Sequence, residues 1–338
     1  MPASALPAGV KPPFPFYTPS FDLAVVGSAV FSALTVIHIM LLIKTRAWNL
    51  NLMPQAALML GLGMILRLVV ITNPALEAPF NISAFLLMLP GSLVAIQLIS
   101  TYTRLIWWVT PPENRNFNTL WLPPWATSII LVLPTGAGDT LSAIGTGRFG
   151  FNAGTRILAV GAVVQMLIFM TFTFLVARFT FISRRWGIHP DKRQSSRELG
   201  LSLTASGVFV SIRGIMQVLE KDALQSLITT HRPTPTITTE EWPLWVFDFL
   251  PLFAVLAITA SYYPGSYFPK RLVGFRLNTK GLLKDEMDRK TASPTAATTL
   301  ITINGRPDSQ PIDLEKEIVS TYAEYMDLDH HPALKYPN

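Results

Sequence analysis

Four charged side chains, Arg67, Asp139, Arg213 and Asp248, sit inside long apolar runs and are the best candidates for chemistry. A carboxylate held there accepts a proton or a cationic group, and a guanidinium is a permanent charge with a fork of donors. Neither is stable alone in hydrocarbon, where a charge near the bilayer centre costs at least ~2.5–3.5 kcal/mol. Such groups face a bundle interior or a water-filled cavity, and pairing is their lowest-energy arrangement. Arg213, Gln217 and Glu220 are spaced i, i+4, i+7, which puts them in one polar stripe on a helix. Asp248 opens the next apolar run, three residues before Pro251, which is expected to bend that helix. The expected central pair is Arg213 with Asp248. Gln97, Gln165 and His38 are secondary candidates. The two glutamines taken singly read as interhelical glue, and His38 as a satisfied packing histidine. For the charged layer, ligand pathway and structural glue both stay open.

Seven apolar runs must hold these groups: 22–43, 51–72, 82–107, 120–143, 155–181, 199–219 and 243–263. A hydrocarbon core of about 30 Å takes ~20 helical residues at roughly 1.5 Å each, and every run meets that length. The fold class is therefore all-α, a polytopic seven-helix membrane bundle. Lys44 and Arg46 follow the first run, Arg104 and Arg115 border the loop after the third, and Arg184, Arg185, Lys192, Arg193 and Arg197 fill the loop after the fifth. Lys270, Arg271 and Arg276 follow the seventh, while the alternate loops are poor in positive charge. The positive-inside rule then puts the N-terminus outside and the C-terminus in the cytoplasm. On that topology the two arginines and two aspartates share a layer roughly 6–9 Å below the outer interface, and their formal charges cancel. Trp107, Trp108, Trp121 and Trp125 at one interface and Trp242 and Trp245 at the other read as an aromatic belt.

The organisation expected is a Pro-rich extracellular N-terminus (1–21), a membrane domain (22–269) and a largely disordered cytoplasmic tail (270–338). The N-terminus has no basic segment followed by a cleavable h-region, so the first span reads as its own insertion signal. Only 14% of residues are charged against 50% hydrophobic, and the net charge of +6 sits in loops, which speaks for topology and against nucleic acid. No cysteine is present, which excludes disulfides and thiolate chemistry. His330-His331 has no companion ligands, and no metal or cofactor is expected. Gly145-Thr-Gly147-Arg-Phe-Gly150 fits G-x-G-x-x-G but follows a membrane helix, so it reads as a loop turn and not a pyrophosphate cradle. Asn81-Ile82-Ser83 is a formal glycosylation sequon close to a span, with poor use expected. Thr238 and Glu241 are spaced as a capping box for the seventh span.

Several motifs resemble those of the fungal lipid-translocating exporters, seven-span proteins associated with aminosterol resistance and release of sphingoid long-chain bases. They are His38 through Lys44, Arg46 and Trp48; Gly63 with Arg67; Pro90 with Ala95; Gly138-Asp139 with Ser142; and Arg213-Gly-Ile-Met-Gln217-Val-Leu-Glu220. The most specific is Glu241-Trp242 followed by Trp245-Val-Phe-Asp248 and then Pro264-Gly265. Leu60, Met64, Thr146, Gln217 and Tyr263 depart from the family pattern, as in a divergent member. The resemblance implies translocation or export of, or resistance to, amphipathic lipid-like molecules from the plasma membrane or an endomembrane. The expected partner is such a small molecule or lipid, with protein partners unknown. There is no G-x-x-x-x-G-K-[ST] loop for ATP, no H-E-x-x-H and no serine nucleophile elbow. A ligand-sensing receptor, or a membrane-embedded acid-catalysed cyclase or isomerase, are the alternatives.

Overall fold

A chain segment in hydrocarbon has no water to satisfy its backbone, so each apolar run closes its N–H···O=C bonds within itself as a helix. The computed structural model describes residues 19–73, 77–110, 120–147, 152–185, 190–230 and 240–268, all within one compact unit, Met1–Gly281. The N-terminal segment, Arg115, the loop around His231, the tail and His330-His331 lie outside the described residues. The helices are α1 (Phe21–Thr45), α2 (Leu52–Thr72), α3 (Glu77–Met88), α4 (Pro90–Val109), α5 (Pro124–Gly147), α6 (Asn152–Ile182), α7 (Pro190–Thr230) and α8 (Leu250–Ser261). No strand occurs among the described residues. The chain is an all-α polytopic membrane protein: among the described residues six stretches are long and apolar enough to cross a bilayer, Phe21–Thr45, Trp48–Thr72, Ala78–Val109, Arg156–Arg185, Arg193–Ala223 and Trp242–Tyr267. The fourth predicted span falls on α5, not all of whose side chains are among those described, so the six stretches neither include nor exclude it.

Consecutive helices pack as neighbours, α1 on α2, α5 on α6, α6 on α7 and α7 on α8, and α8 returns to α1. Helix α4 is the hub, touching α2, α5, α6 and α7. Its core positions Val94, Leu98, Ile99, Leu105 and Ile106 are buried, and Tyr102 anchors it to α6. The Tyr102 hydroxyl donates to the Leu175 carbonyl at 3.1 Å while its ring meets Phe172 and Phe179 edge-on. Around this core the outer surface stays apolar, with Val26, Met40, Leu133 and Phe181 each more than half exposed. A water-facing protein rarely shows so much contiguous apolar surface, whereas lipid accepts it.

Three segments depart from the expected pattern. The predicted third span is one stretch, Ala78–Val109, with a local interruption: Leu89 is a turn residue between α3 and α4, yet it keeps helical backbone angles and its carbonyl accepts from the Leu93 N–H at 3.3 Å. Pro90 has no N–H for the helix ladder, so one backbone bond is missing there. Helix α7 extends the 199–219 run to 41 residues, roughly 60 Å at 1.5 Å per residue. The G-x-G-x-x-G stretch begins inside the last turn of α5 and not in a loop, with Gly150 outside the described residues. The sequon is helical too, and Ser83 is buried with its hydroxyl donated to the Gly63 carbonyl at 2.9 Å.

Helices α5 and α6 meet through glycine. A Cβ on Gly161 would lie 2.8 Å from the Gly138 carbonyl oxygen and 2.8 Å from Ser142 Oγ, whereas one on Gly136 would meet nothing within 4 Å. Gly161→Val should therefore lose about 1–3 kcal/mol by overpacking. Gly136→Ala should be neutral or gain up to about 1 kcal/mol from helix propensity. Thermal unfolding in detergent reads both, and equal behaviour of the two variants would refute the close α5–α6 contact.

Candidate functional site

Gly91, one residue after Pro90 in α4, presents backbone without side-chain cover, and α7 lays a charge across it. Arg213 is 1% exposed, and its guanidinium packs on the Gly91 α-carbon so closely that any Cβ there would overlap Nη1. Arg213 Nε lies 2.7 Å from Asp248 Oδ1, a close ion contact with the N–H aimed away from a linear hydrogen bond. With its amide oriented to face the guanidinium, Gln217 Oε1 accepts from Arg213 Nη1 at 3.1 Å and Nη2 at 2.8 Å. The i, i+4 stripe on α7 thus becomes a brace that fixes Arg213 toward α8.

Asp248 owes its position to an irregular backbone. Residues Trp245–Phe249 form a π-helical turn, with the Leu250 N–H bonded back to the Trp245 carbonyl, before α8 resumes. Pro251 follows at the start of α8 and cannot donate to the ladder. The widened turn absorbs that defect and carries Asp248 into the bundle, the kind of π-bulge that recurs at functional positions.

One residue along α4 from Gly91, Ser92 begins a second cluster. Ser92 Oγ donates to Asp139 Oδ1 at 2.5 Å, and Gln165 Nε2 donates to the same oxygen at 2.6 Å. Gln165 Nε2 also lies 3.3 Å from Ser92 Oγ. Asp139 is partly exposed and has no ion-pair partner among the described residues, although the Arg213 charge acts on it at longer range. Both bonds fall on Oδ1, so among the described residues Oδ2 remains open.

Arg67 joins neither aspartate. Its Nη2 donates to Glu241 Oε1 at 2.7 Å, and that oxygen also accepts from Trp245 Nε1 at 3.1 Å. The Ser20 N–H donates to Glu241 Oε2, tying the start of α1 to the same carboxylate. Trp245 connects this group to the first, because it lies in the π-turn with Asp248 and its ring faces Gly27 of α1. The expected cancellation of two arginines by two aspartates is therefore corrected. Glu241 pairs with Arg67, and the group Arg67, Arg213, Asp139, Asp248 and Glu241 carries one carboxylate in excess. In the sequence Glu241 stood out as a capping candidate and in the family motif, not as a counter-charge to Arg67; its i, i+4 spacing to Trp245 and its place just before an apolar run were the available signals. Thr238, the other half of the predicted capping box, lies outside the described residues.

The remaining candidates lie apart. Glu220 is half-buried further along α7, 3.1 Å from Lys221 Nζ, and its charge acts on Asp248 at longer range. His38 is fully buried, its Nδ1 3.0 Å from the Leu34 carbonyl and its Nε2 3.4 Å from Thr259 Oγ1, so it bonds α1 to α8 as a packing group. Gln97 is 1% exposed with neither amide atom hydrogen-bonded, beside a cavity of about 10 Å³ lined also by Met53, Thr101, Thr259 and Tyr263. That space suits one water. No cluster of three or more metal-ligating side chains occurs among the described residues.

The family model RTA1 like protein matches residues 55–271, a segment that contains Arg67, Gly91, Ser92, Gln97, Asp139, Gln165, Arg213, Gln217, Glu220, Glu241, Trp245 and Asp248. Protein RTM1 of Saccharomyces cerevisiae is 25% identical over 211 residues, 60% of this chain and 63% of that relative, so the match spans less than two thirds of the relative's length. No solved structure matches the chain.

Removing one member of the Arg213–Asp248 pair strands the other inside the bundle. Arg213→Leu or Asp248→Leu alone should destabilise by about 3–5 kcal/mol, and the double variant should cost less than the sum of the two. Gly91→Ala should act like a weak form of Arg213→Leu by displacing the guanidinium. A double-mutant cycle read by thermal unfolding checks this; additive singles would disprove the coupling.

Proposed function

The chain belongs to the RTA1 like protein family, and from that premise we propose that it translocates or exports amphipathic molecules with a cationic head group. Asp139 is the group that receives the head. The observation that carries this reading is the open Oδ2 of Asp139, a partly exposed carboxylate in excess over the guanidiniums around it. An ammonium entering there meets a charge-assisted acceptor pre-oriented by Ser92 and Gln165, and the apolar outer faces of α5 and α6 suit an alkyl tail. The resemblance to lipid-translocating exporters points in the same direction, because a sphingoid long-chain base joins an amine head to one long chain. On this reading α5 crosses the membrane with the six longer apolar stretches, the N-terminus faces outside and the C-terminus faces the cytoplasm. The buried pairs Arg213–Asp248 and Arg67–Glu241 hold the bundle around the site, and they part or re-form as the head group passes.

Efflux of a fluorescent long-chain amine from cells expressing the chain tests the assignment. Asp139→Asn removes the charge while keeping the acceptor oxygen and should slow efflux about tenfold or more, in line with the loss of one charged hydrogen bond. Asp139→Glu should retain part of the activity. Unchanged efflux by Asp139→Asn at normal protein level would remove Asp139 from the mechanism.

A further inference from the structure

The end of the bundle where α6 hands over to α7 carries a second concentration of charge that the buried layer does not use. Thr180, Ser183, Arg184, Arg193, Ser196 and Arg197 line a cavity of about 150 Å³, well above the ~10–15 Å³ one water needs. We propose that this cavity binds a dianionic phosphate, as a phosphomonoester on a lipid head or as the free ion, in preference to the phosphodiester that every phospholipid carries.

The local sequence builds it from two elements. Ser183 and Arg184 belong to the short 3-10 turn Ser183–Arg185 that ends α6, and Arg193 and Arg197 stand one turn apart near the start of α7. The i, i+4 spacing puts those two guanidiniums on one face, with Ser196 buried beside them. Arg193 Nη2 donates to the Arg184 carbonyl at 3.1 Å, which holds the two walls together. The hydroxyls of Thr180, Ser183 and Ser196 donate to the carbonyls of Val176, Thr180 and Arg193. The donors left for a ligand are the guanidinium N–H groups, whose planar forks match phosphate oxygens.

Charge points the same way. Among the side chains the structure describes, which do not include Asp191, no carboxylate forms an ion pair with Arg184, Arg193 or Arg197. Glu198, next in the chain, is engaged elsewhere, accepting from Gln194 Nε2 at 3.2 Å and from the Tyr267 hydroxyl at 3.1 Å. Arginine in the first turns of α7 also sits at the positive end of a helix dipole, where a cation is disfavoured and an anion favoured. Three like charges around one cavity at such a point are stabilised by a multivalent anion. Basic pockets between membrane helices bind lipid phosphates by this logic. The surroundings also suit a lipid: Phe181 is 59% exposed and lies under Arg185 at 5.5 Å, and Leu201 is 46% exposed further along α7.

The test uses the full chain in phosphatidylcholine nanodiscs. One arm adds a phosphoinositide monophosphate to the discs, a second adds phosphatidylserine at matched charge, and a third titrates inorganic phosphate against chloride at matched ionic strength. Thermal stabilisation and direct binding are read for wild type, for R184Q/R193Q/R197Q, for R184Q/R197Q (which keeps the Arg193 tie) and for the control K44Q/R46Q. Binding of phosphoinositide or inorganic phosphate should weaken about tenfold or more in the arginine variants and stay unchanged in the control. A response to the phosphoinositide alone assigns the phosphate to a lipid, and a response to inorganic phosphate assigns it to a free ion. Equal binding by wild type and R184Q/R197Q, equal binding of phosphatidylserine and phosphoinositide, or no response to either phosphate probe would overturn the proposal.

Discussion

Burying the Arg213 guanidinium is the constraint around which the bundle is arranged. A guanidinium does not give up its proton, so a site 1% exposed must supply both a counter-charge and acceptors. Asp248 gives the charge, Gln217 the amide oxygen, and Gly91 the space. Those groups come from α4, α7 and the turn before α8, so the pair acts as a three-way junction. Replacing any one of them with an ordinary apolar residue leaves a charge or a donor without its partner in a medium where no water replaces it.

Two backbone irregularities make that junction possible. Pro90 removes one N–H from the helix ladder at the start of α4, beside Gly91 and Ser92, which meet α7 and α5. Pro251 follows a π-turn that carries Asp248 inward. In lipid such defects are costly unless neighbouring polar groups compensate them, and here the compensation coincides with the charge cluster. The two prolines and the buried charges are parts of one arrangement. The basic cavity between α6 and α7 belongs to a different regime, where exposed guanidiniums face water and headgroups instead of each other.

Some of the site was readable from local pattern. The stripe Arg213, Gln217 and Glu220 obeys helical spacing, and it correctly aimed Arg213 and Gln217 at one partner. It did not show that Glu220 would meet Lys221, its neighbour in the chain, while acting on Asp248 only at longer range. Arg67 was legible as a buried charge but its partner was not. Glu241 follows a loop in the chain, and depth along a helix says nothing about which neighbour a side chain meets. Ser92 was missed for a similar reason, since one serine in an apolar helix carries no signal until Asp139 is seen beside it.

Length, apolarity and the rarity of charge determined that this chain is an all-α polytopic membrane protein, because hydrocarbon leaves an unaccompanied backbone only the helix. Sequence also determined which side chains are costly to bury, and hence where to look. Tertiary structure alone decided which charges meet: Arg213 with Asp248, Arg67 with Glu241, and Asp139 with Ser92 and Gln165 in place of a cation. Pairing depends on which helix faces overlap across the bundle, and that is fixed by close approaches such as Gly91 and Gly161 and by the π-turn before Pro251, acting between segments far apart in the chain.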